Sequence, residues 1–560
     1  MNARRKRGTM DRAQQILKDS AVNRGPAFDE ETRKRLGIVG RLPSAVEDLG
    51  TQVARSLRQL KQLPDDLARY IYLDALHDRN ETLYYRLLVD HLPELLPIVY
   101  DPTIGDAIME WSHDYRISRA VYLSIDRPED IEESFASLEL GPDDVDLVAV
   151  SDAEQILGIG DWGVNGTDIA VGKLAIYSAA AGIDPRRVIA VNLDVGTDNE
   201  TLLNDPLYLG NRHARVRGAE YDAFIDRYLA TVARLFPQAL LHFEDFGASN
   251  ARRILSENTD RYRIFNDDMQ GTGAIVLAAV ISGLRITGQR FADQRLVVFG
   301  AGTAGTGMAD QICAAMKRDG LSDDEARRRV WLIDRNGLVM DDMADLPPYQ
   351  QPYARSAADV DGWGSGPFDL LTVVTRVKPT ILLGTSTVRG AFTKEVVEAL
   401  AAGTPTPILL PLSNPTSRIE VMPEQAIAWS GGRALVASGI PVEPVEFEGS
   451  RYEIGQANNA LLFPGLGLGV IVSGARHVTD GMLSAAAEAV AGRVDVSRRG
   501  AALLPPVQDL RAVSATVAVA VAKAAASDGV ATREHDDLVQ AVQDAMWLPV
   551  YQKPEAWGGW

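Results

Sequence analysis

Two pairs of neighbouring acidic residues are the most informative chemical feature of the sequence. Glu244 and Asp245 lie in a Phe-Glu-Asp-Phe segment, and Asp267 and Asp268 follow Phe-Asn, with a helix-sized interval between the pairs. Carboxylates beside phenylalanine lose hydration, and a buried charge is costly unless a cation or hydrogen bonds compensate it. Oxygen ligands of this kind suit a hard divalent cation, Mg²⁺ or Mn²⁺. The alternative interpretation is a set of solvated acids at a helix cap.

Two further side chains are of types that transfer protons. Lys173 is the single charge in the apolar segment 169–174. It either reaches solvent or becomes a desolvated amine with a lowered pKa that can act as a general base. Tyr100 ends a short apolar run before Asp-Pro. It is either a core residue with a hydrogen-bonded hydroxyl or a proton donor.

Strands must position the acidic residues. A predicted strand at 239–243 delivers Glu244 and Asp245 at its carboxyl end, which is where ligands bind in open parallel sheets. Further buried strands are predicted at 146–150, 155–160 and 188–194. Four glycines between positions 158 and 166 would let the backbone approach a ligand closely.

A second motif predicts a dinucleotide site. A predicted strand at 295–299 precedes a Gly-x-Gly-x-x-Gly turn and a helix, whose amino end and backbone amides suit a pyrophosphate. The glycines of this motif are Gly300, Gly302 and Gly305. The next strand ends at Asp334, which can accept hydrogen bonds from the adenosine ribose and favours NAD over NADP. The adjacent Arg335 keeps NADP open, because an arginine can meet a 2′-phosphate.

Two asparagines stand close to later predicted strands. Asn414 follows the apolar segment 407–411, and Asn459 precedes a glycine-rich apolar stretch at 461–474. Neutral amides at such places can bind a substrate carboxylate or a nicotinamide, although a role in a turn is the simpler interpretation for each one alone. Residues 11–92 and the region after 474 have the apolar spacing or the alanine content of helices.

Composition excludes several classes of protein. The net charge of −19 argues against a nucleic-acid partner, since phosphate contacts need clustered Lys and Arg. The single cysteine, Cys313, excludes an internal disulfide and fits a cytoplasmic location. No apolar run approaches the roughly 20 residues that span a bilayer, so we expect no membrane segment. The basic residues 4–7 are interpreted as a flexible arm or as lying upstream of a true start at Met10.

Together these motifs resemble the malic enzyme superfamily over nearly the whole chain. The segments that carry the resemblance are Tyr-Asp-Pro-Thr from Tyr100, Ile-Leu-Gly-Ile-Gly-Asp from Ile156, Val-Gly-Lys ending at Lys173, Asp-Val-Gly-Thr from Asp194, Phe-Glu-Asp-Phe from Phe243, Phe-Asn-Asp-Asp from Phe265, Leu-Ser-Asn-Pro-Thr from Leu412 and the pair Asn458-Asn459. Their number and order make the resemblance specific.

The resemblance implies a role for each motif residue. The implied metal ligands are Glu244, Asp245 and Asp268; the general base is Lys173, supported by Asp267; the general acid is Tyr100; substrate and nicotinamide contacts are Gln155, Asn414 and Asn459; and the dinucleotide site holds Gly300, Gly302, Gly305 and Asp334. Gln350 is neutral where NADP-preferring relatives tend to carry Lys, which again suggests NAD. The implied reaction is the oxidative decarboxylation of (S)-malate to pyruvate and CO₂ with Mn²⁺ or Mg²⁺.

One position departs from the family pattern. Malic enzymes usually have an arginine for the substrate carboxylate where this chain has Gln155. Malolactic enzymes, a branch of the same superfamily, also lack that arginine, and segments 160–166 and 207–213 are similar to theirs. They convert (S)-malate to (S)-lactate and CO₂ with retained NAD. The chain also departs from malolactic enzymes, with Gln155 where they tend to have Gly and Asp-Val-Gly from Asp194 where they tend to have Asp-Ala-Gly. It therefore lies between the two branches, and we favour an NAD-dependent malic enzyme over a malolactic enzyme. A non-catalytic dinucleotide-binding regulator is a third interpretation.

The predicted fold class is multidomain α/β. We expect a helical N-terminal region at 1–118, a parallel-sheet substrate and metal domain at 119–266 that 459–530 completes, a Rossmann-like NAD-binding domain at 267–458, and a tail at 531–560. The resemblance implies a homodimer or homotetramer. Malate is the expected small-molecule partner, with neither nucleic acid nor membrane.

Overall fold

A computed structural model describes residues 12–117, 119–156 and 158–552. The predicted basic arm at 4–7, the alternative start at Met10 and the last part of the tail lie outside these ranges.

The N-terminal region is helical, as predicted. Its helices are α1 (Arg12–Lys18), α2 (Glu30–Leu36), α3 (Leu49–Leu60), α4 (Asp66–Arg79), α5 (Glu81–Asp90), α6 (Leu92–Val99) and α7 (Thr103–Glu110). Polar side chains fix where several of them begin: Asp48, Asp65 and Asn80 each accept a hydrogen bond from a backbone amide in the first turn of the following helix.

A five-stranded parallel sheet follows. Its strands are β1 (Ala120–Ser124), β2 (Leu147–Ser151), β3 (Val188–Asp194), β4 (Leu240–Phe243) and β5 (Ile264–Asn266), in the order β1-β3-β2-β4-β5. The accompanying helices are α8 (Ile131–Ala136), α9 (Thr167–Ile176), α10 (Glu200–Asn204), α11 (Ala219–Leu235) and α12 (Ala248–Asn258). All residues of β2 and β4 are buried, as expected for parallel strands covered on both faces.

The strand predicted at 155–160 is wrong. In that segment Ile156 makes only an isolated bridge with Gly160, and Leu157 lies outside the described residues. Gly160 has φ +89°, a left-handed conformation that turns the chain. The glycines that favour close backbone approach therefore make this segment a loop.

The second sheet has seven strands. They are β6 (Leu296–Phe299), β7 (Val330–Asp334), β8 (Gly337–Leu338), β9 (Ile381–Gly384), β10 (Ile408–Pro411), β11 (Leu435–Ser438) and, after the hairpin of β12 (Val445–Phe447) and β13 (Ser450–Tyr452), β14 (Gly455–Gln456). The order is β14-β11-β10-β9-β6-β7-β8, parallel except for β7 with β8. Its helices are α13 (Thr272–Thr287), α14 (Thr303–Arg318), α15 (Asp323–Arg328), α16 (Leu370–Val377), α17 (Lys394–Gly403) and α18 (Pro423–Trp429).

The C-terminal region is helical and packs back on earlier parts of the chain. It contains α19 (Phe463–Ser473), α20 (Asp480–Gly492), α21 (Leu510–Ser527) and α22 (Leu538–Ala545). Helix α19 packs against α21 and against the π-helical turn Tyr177–Ala181 that continues α9, while α20 packs against α13. This packing places the start of α19 beside the carboxyl end of the first sheet.

Two helices contradict the expectation that no apolar segment approaches the length that spans a bilayer. Asp267–Thr287 and Val507–Ser527 each have 21 residues and are long and apolar enough to cross a membrane. Of their most apolar windows, 67% and 44% respectively are buried inside the protein. Core helices pass the same test of length and composition, and the packing of α13 and α21 against other helices accounts for these two.

Candidate active site

The two acidic pairs meet at one edge of the first sheet. Strands β4 and β5 are parallel neighbours, and Phe243 is in register with Asn266, so the residues that follow both strands emerge side by side. One carboxylate oxygen from each of Glu244, Asp245 and Asp268 lies within 4.8 Å of the others. The three predicted metal ligands are therefore brought together.

The local backbone fixes this arrangement. Asp245 has φ +55°, in the left-handed region, and its amide donates to Asp268 Oδ2 at 2.8 Å. Asp267 and Asp268 open a π-helical turn, Asp267–Gly271. A Cβ at Gly271 would lie 1.9 Å from Asp267 Oδ1, so only glycine leaves room for that carboxylate.

Lys173 extends from α9 into the acidic cluster. Its side chain is 3% exposed, and Nζ lies 2.5 Å from Asp267 Oδ2 and 3.0 Å from Glu244 Oε1. Burial by itself lowers the pKa of Lys173, but the charges of Asp267 and Glu244 outweigh burial, and the pKa is raised well above its ordinary value. The lowered pKa expected from desolvation is therefore wrong for the protein chain by itself, because two carboxylates compensate the amine.

Tyr100 lies on the other side of the same amine. Its hydroxyl donates to Glu244 Oε1 at 3.2 Å, and Lys173 Nζ is 5.1 Å from the centre of its ring. Burial, and next the charge of Glu244, raises the pKa of Tyr100 well above its ordinary value. Tyr100 therefore keeps its proton at neutral pH, as a proton donor must.

The acidic cluster carries more negative charge than its one amine balances. Burial raises the pKa of Asp268, and the charges of Glu244 and Asp267 raise it further, well above its ordinary value. Burial also raises the pKa of Glu244, but Lys173 reverses that effect and the pKa is lowered. A site with an excess of buried carboxylates and only oxygen ligands fits Mg²⁺ or Mn²⁺.

Two residues near the cluster were missed in the sequence. His242 is fully buried; its Nε2 lies 2.8 Å from Glu244 Oε2, and its Nδ1 lies 2.8 Å from the hydroxyl of Tyr177. Because an ionised carboxylate only accepts, Nε2 donates to Glu244 and Nδ1 accepts from Tyr177. The available signal was alternation along a strand, which places His242 and Glu244 on the same side.

The predicted catalytic and substrate residues, except Asp267, line one cleft of about 420 Å³. Asp267 is buried outside the wall of the cleft and reaches it only through Lys173. The expected residues in its wall are Tyr100, Gln155, Lys173, Glu244, Asp245, Asp268, Asn414 and Asn459. Gln155 is held there by its backbone amide, which donates to the carbonyl of Asp245 at 3.1 Å. Asn459 donates to Asp267 Oδ2 at 3.1 Å, behind Lys173, whereas Asn414 is exposed at the rim.

The glycine motif reaches the same cleft through Thr303 and Ala304, whereas Gly300, Gly302 and Gly305 lie outside its wall. Gly300 has φ +104°, and a Cβ there would lie 2.5 Å from the backbone of Thr385. A Cβ at Gly305 would lie 2.3 Å from the carbonyl oxygen of Gly300, whereas one at Gly302 would meet no atom within 4 Å. Two glycines thus allow the tight turn, and the third leaves the amino end of α14 open, as a pyrophosphate requires.

Asp334 lies outside the cleft, at the end of β7. Gln350 is buried and donates from Nε2 to Asp334 Oδ2 at 2.8 Å and to the carbonyl of Ala301 at 2.7 Å. The neutral amide therefore holds the carboxylate against the glycine turn without adding a charge.

Comparisons with known proteins agree with this geometry. Two family models match the chain: malic enzyme, N-terminal domain, over residues 77–262, and malic enzyme, NAD binding domain, over residues 269–526. NAD-dependent malic enzyme 3 of Bacillus subtilis (strain 168) is 56% identical over 546 residues, which cover 97% of this chain and 96% of that protein. The chain belongs to the malic enzyme family.

Other members of the malic enzyme family are also similar. The malolactic enzyme of Lactococcus lactis subsp. lactis (strain IL1403) is 46% identical over 541 residues, 96% of this chain and all of that protein. The crystal structure of the malic enzyme from Pyrococcus horikoshii Ot3 has the same fold, with a TM-score of 0.55 at 22% identity over 81% of this chain and 89% of that one. The malic enzyme fold thus extends over both sheets.

Proposed function

We propose that this malic enzyme oxidatively decarboxylates (S)-malate to pyruvate and CO₂, using NAD and a divalent metal ion. The observation that carries the proposal is the joint contact of Lys173 Nζ and Tyr100 Oη with Glu244 Oε1, at 3.0 and 3.2 Å, in the wall of the cleft. One proton acceptor and one proton donor would thereby face the same substrate in the cleft. The name of the Bacillus subtilis relative supports the same activity.

The proposed metal ligands are Glu244, Asp245 and Asp268. Mn²⁺ or Mg²⁺ held there would polarise the C2 oxygen of malate and lower the pKa of Lys173 by repulsion between like charges, while NAD would accept the hydride. Glu244 is proposed as a metal ligand because of its position. Its carboxylate is held by Tyr100, Lys173 and His242 and also lines the cleft.

Lys173 and Tyr100 have opposite proton-transfer roles in this proposal. Lys173 Nζ takes the proton of the malate C2 hydroxyl, and Asp267, 2.5 Å from Nζ, holds the amine in place and offers it a proton acceptor. Tyr100 Oη gives its proton to C3 after CO₂ leaves, which produces the methyl group of pyruvate. Its raised pKa favours this role, because the hydroxyl stays protonated until the carbanion forms.

The remaining residues are proposed to orient substrate and cofactor. Gln155 and Asn459 would bind malate carboxylates from the cleft wall, and Asn414 at the rim would contact substrate and nicotinamide. Gly300, Gly302 and Gly305 would hold the pyrophosphate of NAD, and Asp334 its adenosine ribose. A 2′-phosphate would face the Asp334 carboxylate without a lysine at position 350, which supports NAD over NADP.

A malolactic reaction is the second candidate, because Gln155 replaces the arginine usual in malic enzymes and a malolactic relative matches 96% of the chain. The test follows absorbance at the NADH wavelength and assays lactate with malate, NAD and Mn²⁺ present. Sustained growth of NADH supports the malic reaction. Lactate without NADH means the malolactic reaction, and no turnover of either kind means a regulator that kept the fold.

We also propose a homodimer or homotetramer, as the family resemblance implies, and a cytoplasmic location, which the single cysteine fits. The proposed domain division has boundaries at residues 118, 266, 458 and 530. Light scattering at several concentrations tests the assembly, and a single mass equal to one chain would exclude it. Expression of residues 267–458 alone tests the division, since a chain that does not fold would contradict an independent NAD-binding domain.

A further inference from the structure

A second cleft of about 320 Å³ lies at the opposite end of β4 and β5 from the acidic cluster. Three arginines and a histidine line it: Arg261, Arg263, Arg476 and His477. Its remaining wall is largely apolar and includes Phe236, Pro237, Leu241 and Tyr262. Positive charge is thus gathered around a concave apolar surface, in a protein whose net charge is −19.

None of the three arginines has an acidic partner in the part of the chain that the structure describes. Arg263 donates to the carbonyls of Gln238 and of Gly474, the latter at 3.2 Å, while its Nε is buried and has no hydrogen-bond partner among the described residues. Arg476 donates to the carbonyl of Gly529 at 2.7 Å. Within the described residues, the guanidinium of Arg261 makes two marginal hydrogen bonds, both at 3.5 Å, and lies 5.2 Å from the centre of the Tyr262 ring.

A neighbouring cation makes the charge excess larger. Arg533 donates to the carbonyl of Ile471 at 3.0 Å. Burial lowers the pKa of Arg263 to about 10, and repulsion from Arg533 contributes to that shift. Asp146 acts in the other direction, but it is already paired with Arg187 at 2.6 Å.

Helix capping explains only part of this arrangement. The carbonyls of Ile471, Gly474 and Gly529 lie at the ends of α19 and α21, where cations are favourable. Each helix end carries roughly half an elementary charge, so two ends balance about one of the four arginines. The backbone amide of Arg261 caps α12 at Asn258, but among the described residues its guanidinium donates to no backbone carbonyl, and Nε of Arg263 has no acceptor there.

We propose that this basic cleft binds a small organic polyanion that carries phosphate groups. Arginine suits phosphate because its planar fork forms two parallel hydrogen bonds to phosphate oxygens. Several cations around one concave surface call for more than one negative charge, and the apolar wall suits the organic part of the ligand. The acidic cluster and the glycine motif belong to a different cleft, so this site is separate from those that hold substrate and NAD.

Calorimetric titration with pyrophosphate tests the proposal. The protein is first saturated with NAD, so that the glycine motif is occupied, and divalent metal is omitted because it would bind the probe. We expect one pyrophosphate per chain, with an affinity that falls as salt is added. Inorganic phosphate should bind more weakly, because it meets fewer of the arginines.

Variants locate the binding. Arg261→Gln and Arg476→Gln should each weaken pyrophosphate binding about tenfold, the expected loss for one charge-assisted hydrogen bond, and the double variant should abolish it. Arg261→Gln removes no hydrogen bond to the backbone, so the melting temperature of this variant should equal that of the wild type. If Arg476→Gln folds poorly, the pyrophosphate affinity of Arg261→Gln alone tests the proposal. Arg327→Gln is the matched control, since Arg327 pairs with Asp323 at 2.7 Å on α15. Absence of binding to the NAD-saturated protein, or equal affinity in the Arg261→Gln variant, would overturn the proposal.

Discussion

Replacement of Lys173 by methionine should make the folded protein depend on a metal ion. Lys173 is the one amine among Glu244, Asp245, Asp267 and Asp268, and its pairs measure 2.5 and 3.0 Å. At an effective dielectric constant of about 20, each pair contributes roughly 6 kcal/mol of Coulomb attraction before the cost of dehydration. Loss of one partner of a buried pair costs about 3–5 kcal/mol overall. We therefore expect Lys173→Met to lower the free energy of unfolding by about 3–5 kcal/mol without metal.

Metal affinity should respond differently. Lys173 contacts Glu244 Oε1 but is not itself a metal ligand, and its removal takes away a positive charge that competes with a cation. Turnover should be abolished, while the Mn²⁺ dissociation constant should stay within about threefold of the wild-type value. At Mn²⁺ about 100-fold above that constant, binding should restore about 2.7 kcal/mol to either protein.

Urea denaturation with a chelator, repeated with Mn²⁺, measures the stability, and paramagnetic resonance of free Mn²⁺ measures the affinity. Lys317→Met is the matched control, because Lys317 forms a half-exposed pair with Asp323 at 3.0 Å and should contribute less than about 1 kcal/mol. A Lys173→Met protein as stable as this control would refute the assigned charge balance. Loss of Mn²⁺ affinity by more than about tenfold would refute the role of Lys173 as a base rather than a support for the metal.

Three further changes test other parts of the site. His242→Leu should weaken Mn²⁺ binding about 10- to 100-fold, because Glu244 loses the donor that orients it. His242→Gln can place an amide donor there and should recover most of the affinity. Equal loss of affinity in both variants would contradict an orienting role for His242. Gln155→Arg should shift the product ratio towards pyruvate, and an unchanged ratio of pyruvate to lactate would remove this position as the branch point. Burial raises the pKa of Asp152 to about 6, although the charge of Arg215 acts in the opposite direction. The folded state therefore binds more protons than the unfolded state between about pH 4 and 6. The free energy of unfolding should fall as the pH rises through that range. Urea titrations across it should therefore show about 3 kcal/mol less pH dependence for Asp152→Asn than for the wild type, and parallel curves would contradict that shift.

The parts of the fold that depend on local pattern could be predicted from the sequence. Strands β2, β3, β4, β6, β7 and β10 were each expected within a residue or two, because buried parallel strands are short apolar runs bounded by turn residues. Strand β5 was missed, since Ile264–Asn266 has three residues and only its pairing with β4 makes it a strand. The strand predicted at 155–160 was wrong because this apolar segment contains glycine. The positive φ of Gly160 turns the chain there, whatever the apolar pattern.

The site could be assembled from the sequence, but its electrostatics could not. The end of the predicted strand at 239–243 indicated Glu244 and Asp245, and the family resemblance added Asp268. The cleft contains all three residues. The apolar surroundings of Lys173 left two interpretations, a side chain that reaches solvent or a buried amine with a lowered pKa. The structure buries the amine but raises its pKa. Its rise depends on Asp267, which stands 94 positions later and reaches the amine only through tertiary packing. The contact of Tyr177 with His242 has the same origin.

Glu244 accepts hydrogen bonds or ion pairs from three different elements: Tyr100 after α6, Lys173 on α9 and His242 on β4. Because one carboxylate accepts from three donors, these four positions should evolve together. A change at any of them leaves a buried donor or acceptor unmatched, so a lineage cannot drift through these positions singly. Homologues should therefore replace residue 242 only by a side chain that can donate a hydrogen bond to the same carboxylate oxygen. In an alignment of homologues, a change at position 242 should be accompanied by a matching change at position 177.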